Sequence, residues 1–105
     1  MPEDYSFISL DATRLHIASH YEHTLPTYDE FVSLLEHYIP DNALTLAVDG
    51  VVSAIIMSAI NNEGLEEELK KTLKQLLTLA KVNDKAIRQI MARLGILLSK
   101  LKNKQ

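Results

Sequence analysis

Residues 43–60 read ALTLAVDGVVSAIIMSAI, an apolar segment long enough to form the central element of a small domain. It holds one charged side chain, Asp49, in 18 residues, which is close to the shortest length that spans a membrane as a helix. Asp41 and Glu63 flank it instead of Lys or Arg, and it lacks the Trp and Tyr side chains that mark membrane interfaces. We therefore predict a helix, capped by Asp41, that is buried at the centre of a folded domain.

Two secondary structures compete for residues 44–57. The pair Asp49-Gly50 between two apolar runs is typical of a two-residue β-hairpin. The second run, however, does not alternate between apolar and polar side chains as a half-buried strand should. In a helix, Gly50, Ala54 and Ser58 fall four residues apart and form a narrow face that another backbone can approach closely. We favour the helix, with the hairpin as the alternative.

The segment 44–60 resembles part of the YejL-like proteins, a small family of bacterial helical dimers. The resemblance covers 17 residues and includes no functional motif. No activity, partner or residue role is carried over from that family to this chain.

The N-terminal part contains two further helix candidates. Residues 10–21 are predicted to form a helix after a flexible or extended arm, residues 1–9. The sequence TYDE at residues 27–30 fits a capping box, in which Thr and Glu side chains satisfy free backbone N–H groups at a helix start. A second helix is therefore predicted to begin at Tyr28 and to end before Pro40, which disfavours helical backbone in the residue that precedes it.

The C-terminal part is predicted to be two helices. After a break at residues 61–64, apolar side chains recur at helical spacing. These are Leu65, Leu69, Leu73, Leu76 and Ala80. The last helix, capped by Asn83 or Asp84, has an apolar stripe with the four-and-three spacing of a coiled coil. Its members are Ile87, Met91, Leu94, Leu98 and Leu101. Because the loop between the two helices is so short, we expect an antiparallel helical hairpin.

Charge is divided unevenly along the chain. Residues 1–69 carry 13 acidic side chains against Arg14 alone, a net charge of −12, whereas residues 70–105 carry 10 basic side chains against Asp84 alone, a net charge of +9. A basic helical end attracts an acidic surface, whether of its own chain, a second copy, another protein or nucleic acid. The candidate partner-binding residues are the cations of the last helix, Lys85, Arg88, Arg93, Lys100, Lys102 and Lys104.

Nucleic acid is the alternative partner for this basic helix. Residues 87–96 resemble the first helix and turn of a helix-turn-helix reader, with Gly95 at the turn. A recognition helix with polar side chains should follow, but Leu97 and Leu98 are apolar. A nucleic-acid-binding transcriptional regulator is therefore the second functional hypothesis, below protein–protein binding.

Three histidines are the weak candidates for a metal site. His16, His20 and His23 would share one face of a helix, and imidazole is a ligand that zinc and nickel accept. A solvated polar face explains the same spacing, so a His-rich metal-binding protein is the third hypothesis and no metal site is predicted. The chain has no cysteine and only three glycines, which excludes thiolate sites and phosphate-cradling loops.

We therefore predict one helical domain over residues 1–105, an all-α bundle of four to five helices that forms a homodimer because a monomer of this size cannot cover its apolar faces. The predicted core and dimer residues are Gly50, Ala54, Ser58, Ile87, Met91, Leu94 and Leu98. We predict no enzymatic activity and no cofactor, because no catalytic constellation is present. The expected function is that of a regulator, adaptor or inhibitor that binds a protein partner. We expect it in the cytoplasm and away from membranes, since the acidic N-terminus is unlike a signal peptide.

Overall fold

The computed structural model describes residues 9–39 and 44–102. These residues form five α-helices and one short 3₁₀ turn with no strand, so the predicted all-α class is confirmed for this part of the chain. The elements are α1 (Leu10–His20), the 3₁₀ turn (Glu22–Thr24), α2 (Leu25–Tyr38), α3 (Thr45–Ile60), α4 (Glu66–Leu79) and α5 (Asp84–Lys102). Residues 1–8 of the predicted arm, residues 1–9, and the predicted cap Asp41 lie outside the described residues.

Most of the apolar segment 43–60 forms the central helix α3, as predicted, from Thr45 to Ile60. Asp49 and Gly50 lie inside the helix, so the β-hairpin alternative is wrong. Apolar side chains point from α3 in almost every direction, and the helix accordingly packs against α1, α4 and α5. Its buried apolar residues are Val48, Val52, Ala54, Ile55, Ile56 and Ala59.

Helix α1 is held at its start and along its inner face by hydroxyl groups. The Ser9 hydroxyl oxygen accepts a hydrogen bond from the backbone N–H of Ala12 at 3.0 Å and caps the helix. The buried Thr13 side chain lies 3.0 Å from the Ser53 hydroxyl of α3. The helix ends at His20, one residue earlier than predicted.

Helix α2 begins at Leu25, three residues before the predicted start, so the capping box at residues 27–30 is wrong. Pro26 lies in the first turn, where its missing N–H costs nothing because first-turn amides have no intrahelical partner. The Pro that looked like a break therefore opens the helix. The predicted end is confirmed, since the helix stops at Tyr38.

Helices α4 and α5 follow the predicted pattern closely. The break between α3 and α4 contains Asn62 and Gly64 with φ of 57° and 76°, a left-handed backbone that glycine adopts readily. The Asn83 side-chain oxygen accepts a hydrogen bond from the backbone N–H of Ala86 at 2.8 Å, so the predicted cap of α5 is confirmed. The helix then continues without a turn through Gly95, which contradicts the helix-turn-helix resemblance. A single glycine costs about 1 kcal/mol in a helix, less than the burial of the surrounding leucines provides.

Candidate partner-binding site

The structure divides the six predicted partner-binding cations into three groups. Lys85, Arg88 and Lys100 are exposed on α5 and form no ion pair within the described residues. Arg93 and Lys102 each contact an acidic side chain of the same chain. The remaining member, at position 104, lies outside the described residues.

The two paired cations differ in what they contact. Arg93 lies 3.7 Å from Glu30 of α2, and both side chains are more than half exposed, so solvent screens this contact. Lys102 lies 3.6 Å from Glu66, whose side chain is only 8% exposed. The Lys102 contact therefore joins the last turn of α5 to the first turn of α4.

An open groove of about 540 Å³ lies between α2 and α5. It is lined by Pro26, Asp29, Glu30, Ser33, Leu34 and Arg93. One edge is therefore acidic and the other basic, with apolar surface from two of the lining residues between them. Such mixed surface can accept a protein segment that presents both charge and apolar side chains.

Arg14 and Asp29 hold α1 against α2 beside this groove. The guanidinium donates two hydrogen bonds to the carboxylate, at 2.8 and 2.9 Å, in a bidentate geometry. The hydrogen bond and the nearby positive charge of Arg14 lower the pKa of Asp29. Next to them, burial raises the pKa of Tyr28 above its usual range, and its hydroxyl donates a 2.6 Å hydrogen bond to the carbonyl of Leu10. This edge of α2 is consequently fixed in place.

The three candidate metal ligands are not brought together as one site. The rings of His16 and His20 lie 4.7 Å apart on α1, and the pKa of His16 is lowered by burial and by His20. His23 belongs to the 3₁₀ turn, because α1 ends before it. No group of three His, Asp or Glu side chains with metal-binding geometry is found over residues 9–39 and 44–102.

The predicted core and dimer residues are mostly buried within one copy of the chain. Gly50, Ala54 and Ser58 of α3 are buried, as are Ile87, Leu94 and Leu98 of α5, whereas Met91 is half-buried. The chain therefore covers its central helix by itself, which removes the uncovered apolar area that motivated the dimer prediction. A dimer has to be argued from other surfaces.

A buried polar cluster around Ser58 was not predicted from the sequence. The Ser58 hydroxyl accepts a 2.9 Å hydrogen bond from the backbone N–H of Leu65 and lies 3.3 Å from a carboxylate oxygen of Glu66. Glu66 is buried at the first position of α4. Three consecutive glutamates at a helix start gave no sign that one of them points inward. The cluster ties α3, α4 and α5 together.

No helix within the described residues has the length and apolar character needed to cross a membrane. Comparison of the chain with protein-family models, with curated proteins and with solved structures gave no match. The resemblance of residues 44–60 to YejL-like proteins is thus not supported by a family match.

Proposed function

We propose that this chain is a small non-enzymatic regulator, adaptor or inhibitor that acts as a homodimer and binds a protein partner. The observation that carries the proposal is the outer face of α5, where Lys85, Arg88 and Lys100 are exposed without an ion pair in the described residues. Ile96, on the same helix, is 48% exposed. Cations around an apolar side chain suit a protein surface that is acidic and partly apolar.

We infer that α4 and α5 form an antiparallel hairpin that holds this face rigid. Residues 80–83 are all that connects the two helices, and the Lys102–Glu66 contact links the end of α5 to the start of α4. The inner side of α5 is anchored by buried leucines, among them Leu94 and Leu97, which are fully buried. A preorganised face loses little conformational entropy when it binds.

Nucleic acid remains the alternative partner, since phosphates would also attract the exposed cations of α5. The uninterrupted helix argues against a helix-turn-helix mode of binding, but not against contacts to the phosphate backbone. Salt dependence separates the two partners, because phosphate neutralisation weakens steeply with salt whereas an interface with an apolar centre persists.

The experiment compares three tagged baits in nuclease-treated extract of the native host. They are the wild type, the variant Lys85→Gln/Arg88→Gln/Lys100→Gln, and a control, Lys71→Gln/Lys74→Gln/Lys81→Gln, with the same charge change on exposed positions outside α5. We expect the wild type and the control to retain the same protein, identified by mass spectrometry, and the α5 variant to lose it. Circular dichroism checks that all three baits are folded.

Two outcomes contradict the proposal. If the α5 variant and the control lose the partner equally, the net charge of the chain rather than the α5 face is responsible. If the purified wild type shifts duplex DNA at physiological salt, with a steep salt slope that the α5 variant flattens, the basic face binds nucleic acid instead.

A further inference from the structure

The α2–α5 groove has a directional arrangement of charge. The Tyr38 hydroxyl lies 2.8 Å from the side-chain oxygen of Gln89, and Arg93 lies 3.7 Å from Glu30. Residue numbers fall along α2 while they rise along α5 between these two contacts, so the helices are antiparallel. The groove has an acidic edge on α2, formed by Asp29 and Glu30, and a basic edge on α5, formed by Arg93. Asp29 is already paired with Arg14, so Glu30 is the acidic residue available to a second chain.

The charges at this groove retain capacity for a second partner. Glu30 is 71% exposed and Arg93 is 57% exposed, and their mutual distance is longer than that of a close ion pair. A guanidinium has five N–H donors, so one carboxylate does not satisfy it. Leu34, which is half-buried, adds apolar surface inside the groove.

We propose that a second copy of this chain docks on the α2–α5 face, related by a two-fold axis that runs parallel to the two helices. This rests on the homodimer of the proposed function and names its interface. Such an axis places α2 of each protomer over α5 of its partner. Glu30 of each protomer then lies against the basic edge of the other, so the interface contains two identical contacts. The two grooves then face each other at the centre of a four-helix arrangement.

Charge complementarity favours a second copy of the chain as the partner, and it also determines the direction of the two-fold axis. A two-fold axis across the helices would place acidic edge over acidic edge and basic over basic, which is repulsive. The parallel axis pairs opposite charges at both contacts. A face two helices wide and about 20 Å long covers roughly 400 Å² on each protomer, which is less than a standard stable interface, so we expect a weak dimer that is detected at high micromolar concentration.

The test uses a charge exchange at Glu30 and Arg93. Glu30→Lys and Arg93→Glu are prepared separately, with Arg88→Glu as a matched charge-reversal control on α5 outside the groove lining. Sedimentation equilibrium measures the dimer dissociation constant of each protein and of an equimolar mixture of the two groove variants. We expect each groove variant to dimerise at least about tenfold more weakly than the wild type, since like charges meet at both contacts, and the control to dimerise normally.

The mixture is the decisive measurement. In a heterodimer of the two groove variants, Glu30 meets Arg93 at one contact and the introduced Lys meets the introduced Glu at the other, so dimerisation should return. The contact within each single chain stays mismatched, so recovery reports only on contacts between protomers. Far-UV circular dichroism checks that each variant is folded. Sedimentation of the wild type at several salt concentrations needs no variant, and we expect salt to weaken the dimer.

Three results would overturn the proposed interface. A wild type that stays monomeric at high micromolar concentration removes the homodimer and this face together. A wild-type dimer that both groove variants leave intact places the interface elsewhere and keeps the homodimer. Weak groove variants that do not recover on mixing also exclude the two-fold arrangement. Loss of the partner protein in the capture experiment, by contrast, concerns the outer face of α5 and leaves this interface unaffected.

Discussion

Helices α3 and α5 both contribute buried side chains to the core, but they differ in composition, since α3 is almost entirely apolar whereas α5 has one apolar and one charged side. Nine of the 16 residues of α3 are buried, whereas seven of the 19 residues of α5 are buried. The exposed residues of α5 include five cations, Lys85, Arg88, Arg93, Lys100 and Lys102. Both helices pack against several others, α3 against α1, α4 and α5, and α5 against α2, α3 and α4, so the two differ in the side chains that they leave exposed. The most apolar segment therefore forms the centre of the fold, while the amphipathic segment leaves its charged side chains exposed to solvent.

This contrast changes the physical basis of association. Exposed apolar area is the usual reason for an obligate dimer. Here the exposed large apolar side chains include single residues on different helices, such as Leu15 on α1, Leu46 on α3 and Leu79 on α4. Scattered apolar residues are ordinary on protein surfaces. Charged edges, such as those of the α2–α5 groove, are then the better argument for self-association.

The largest expected effects come from cavities in the shared core. Ile55→Ala in α3 and Leu94→Ala in α5 should each cost about 2 to 4 kcal/mol of unfolding free energy, because both side chains are fully buried. The matched control Ile96→Ala, at a half-exposed position of α5, should change stability by about 0.5 kcal/mol or less. Urea unfolding followed by circular dichroism measures all three. A Leu94 variant no less stable than the Ile96 variant would show that α5 does not share the core of α3.

A smaller effect is expected from the polar cluster that links α3 to α4. Ser58→Ala should cost about 1 to 3 kcal/mol, because the backbone N–H of Leu65 and the carboxylate of Glu66 lose a partner in a buried setting. Ser99→Ala on the exposed face of α5 is the control and should be nearly neutral. If Ser58→Ala unfolds at the same urea concentration as the wild type, the position serves only as a small residue for close packing, as the sequence suggested.

The sequence predicted α4 and α5 well because their patterns were redundant. The apolar stripe, the acidic first turn of α4 and the Asn83 cap all indicate the same boundaries, and each is found in the structure. At α2 the signals conflicted. Pro26 indicated a break and the following residues a cap, yet proline is compatible with both a loop and a first helical turn.

The candidate site was only partly predictable for a related reason. Counting cations located the basic helix, but it could not separate Arg93 and Lys102, which contact acidic residues of other helices, from those that form no such pair in the described residues. Those contacts depend on how distant segments pack. The inward position of Glu66 depends on packing in the same way, since its neighbours Glu67 and Glu68 are exposed.

The smallest effect concerns the one acidic side chain of α3. Burial, and secondarily the negative charge of Glu36, raises the pKa of Asp49 above its usual value. A carboxyl group with a raised pKa in the folded state binds protons more tightly there than in the unfolded state. Asp49 therefore opposes folding at neutral pH, and this penalty disappears as the pH falls through the folded pKa towards the unfolded value of 3.8.

We accordingly expect Asp49→Asn to be more stable than the wild type at pH 7. The difference should shrink as the pH falls through the folded pKa and vanish below the unfolded value of 3.8, where the carboxyl group is protonated in both states. Glu36→Gln should give part of the same gain, because it removes only the secondary cause. Urea unfolding at several pH values measures the difference in unfolding free energy between variant and wild type. The contributions of other groups, such as Asp29 with its lowered pKa, are the same in both proteins and cancel in this difference. An Asn variant less stable than the wild type at pH 7 would mean that the ionised carboxylate stabilises α3, so that the central helix, like α5, depends on charge.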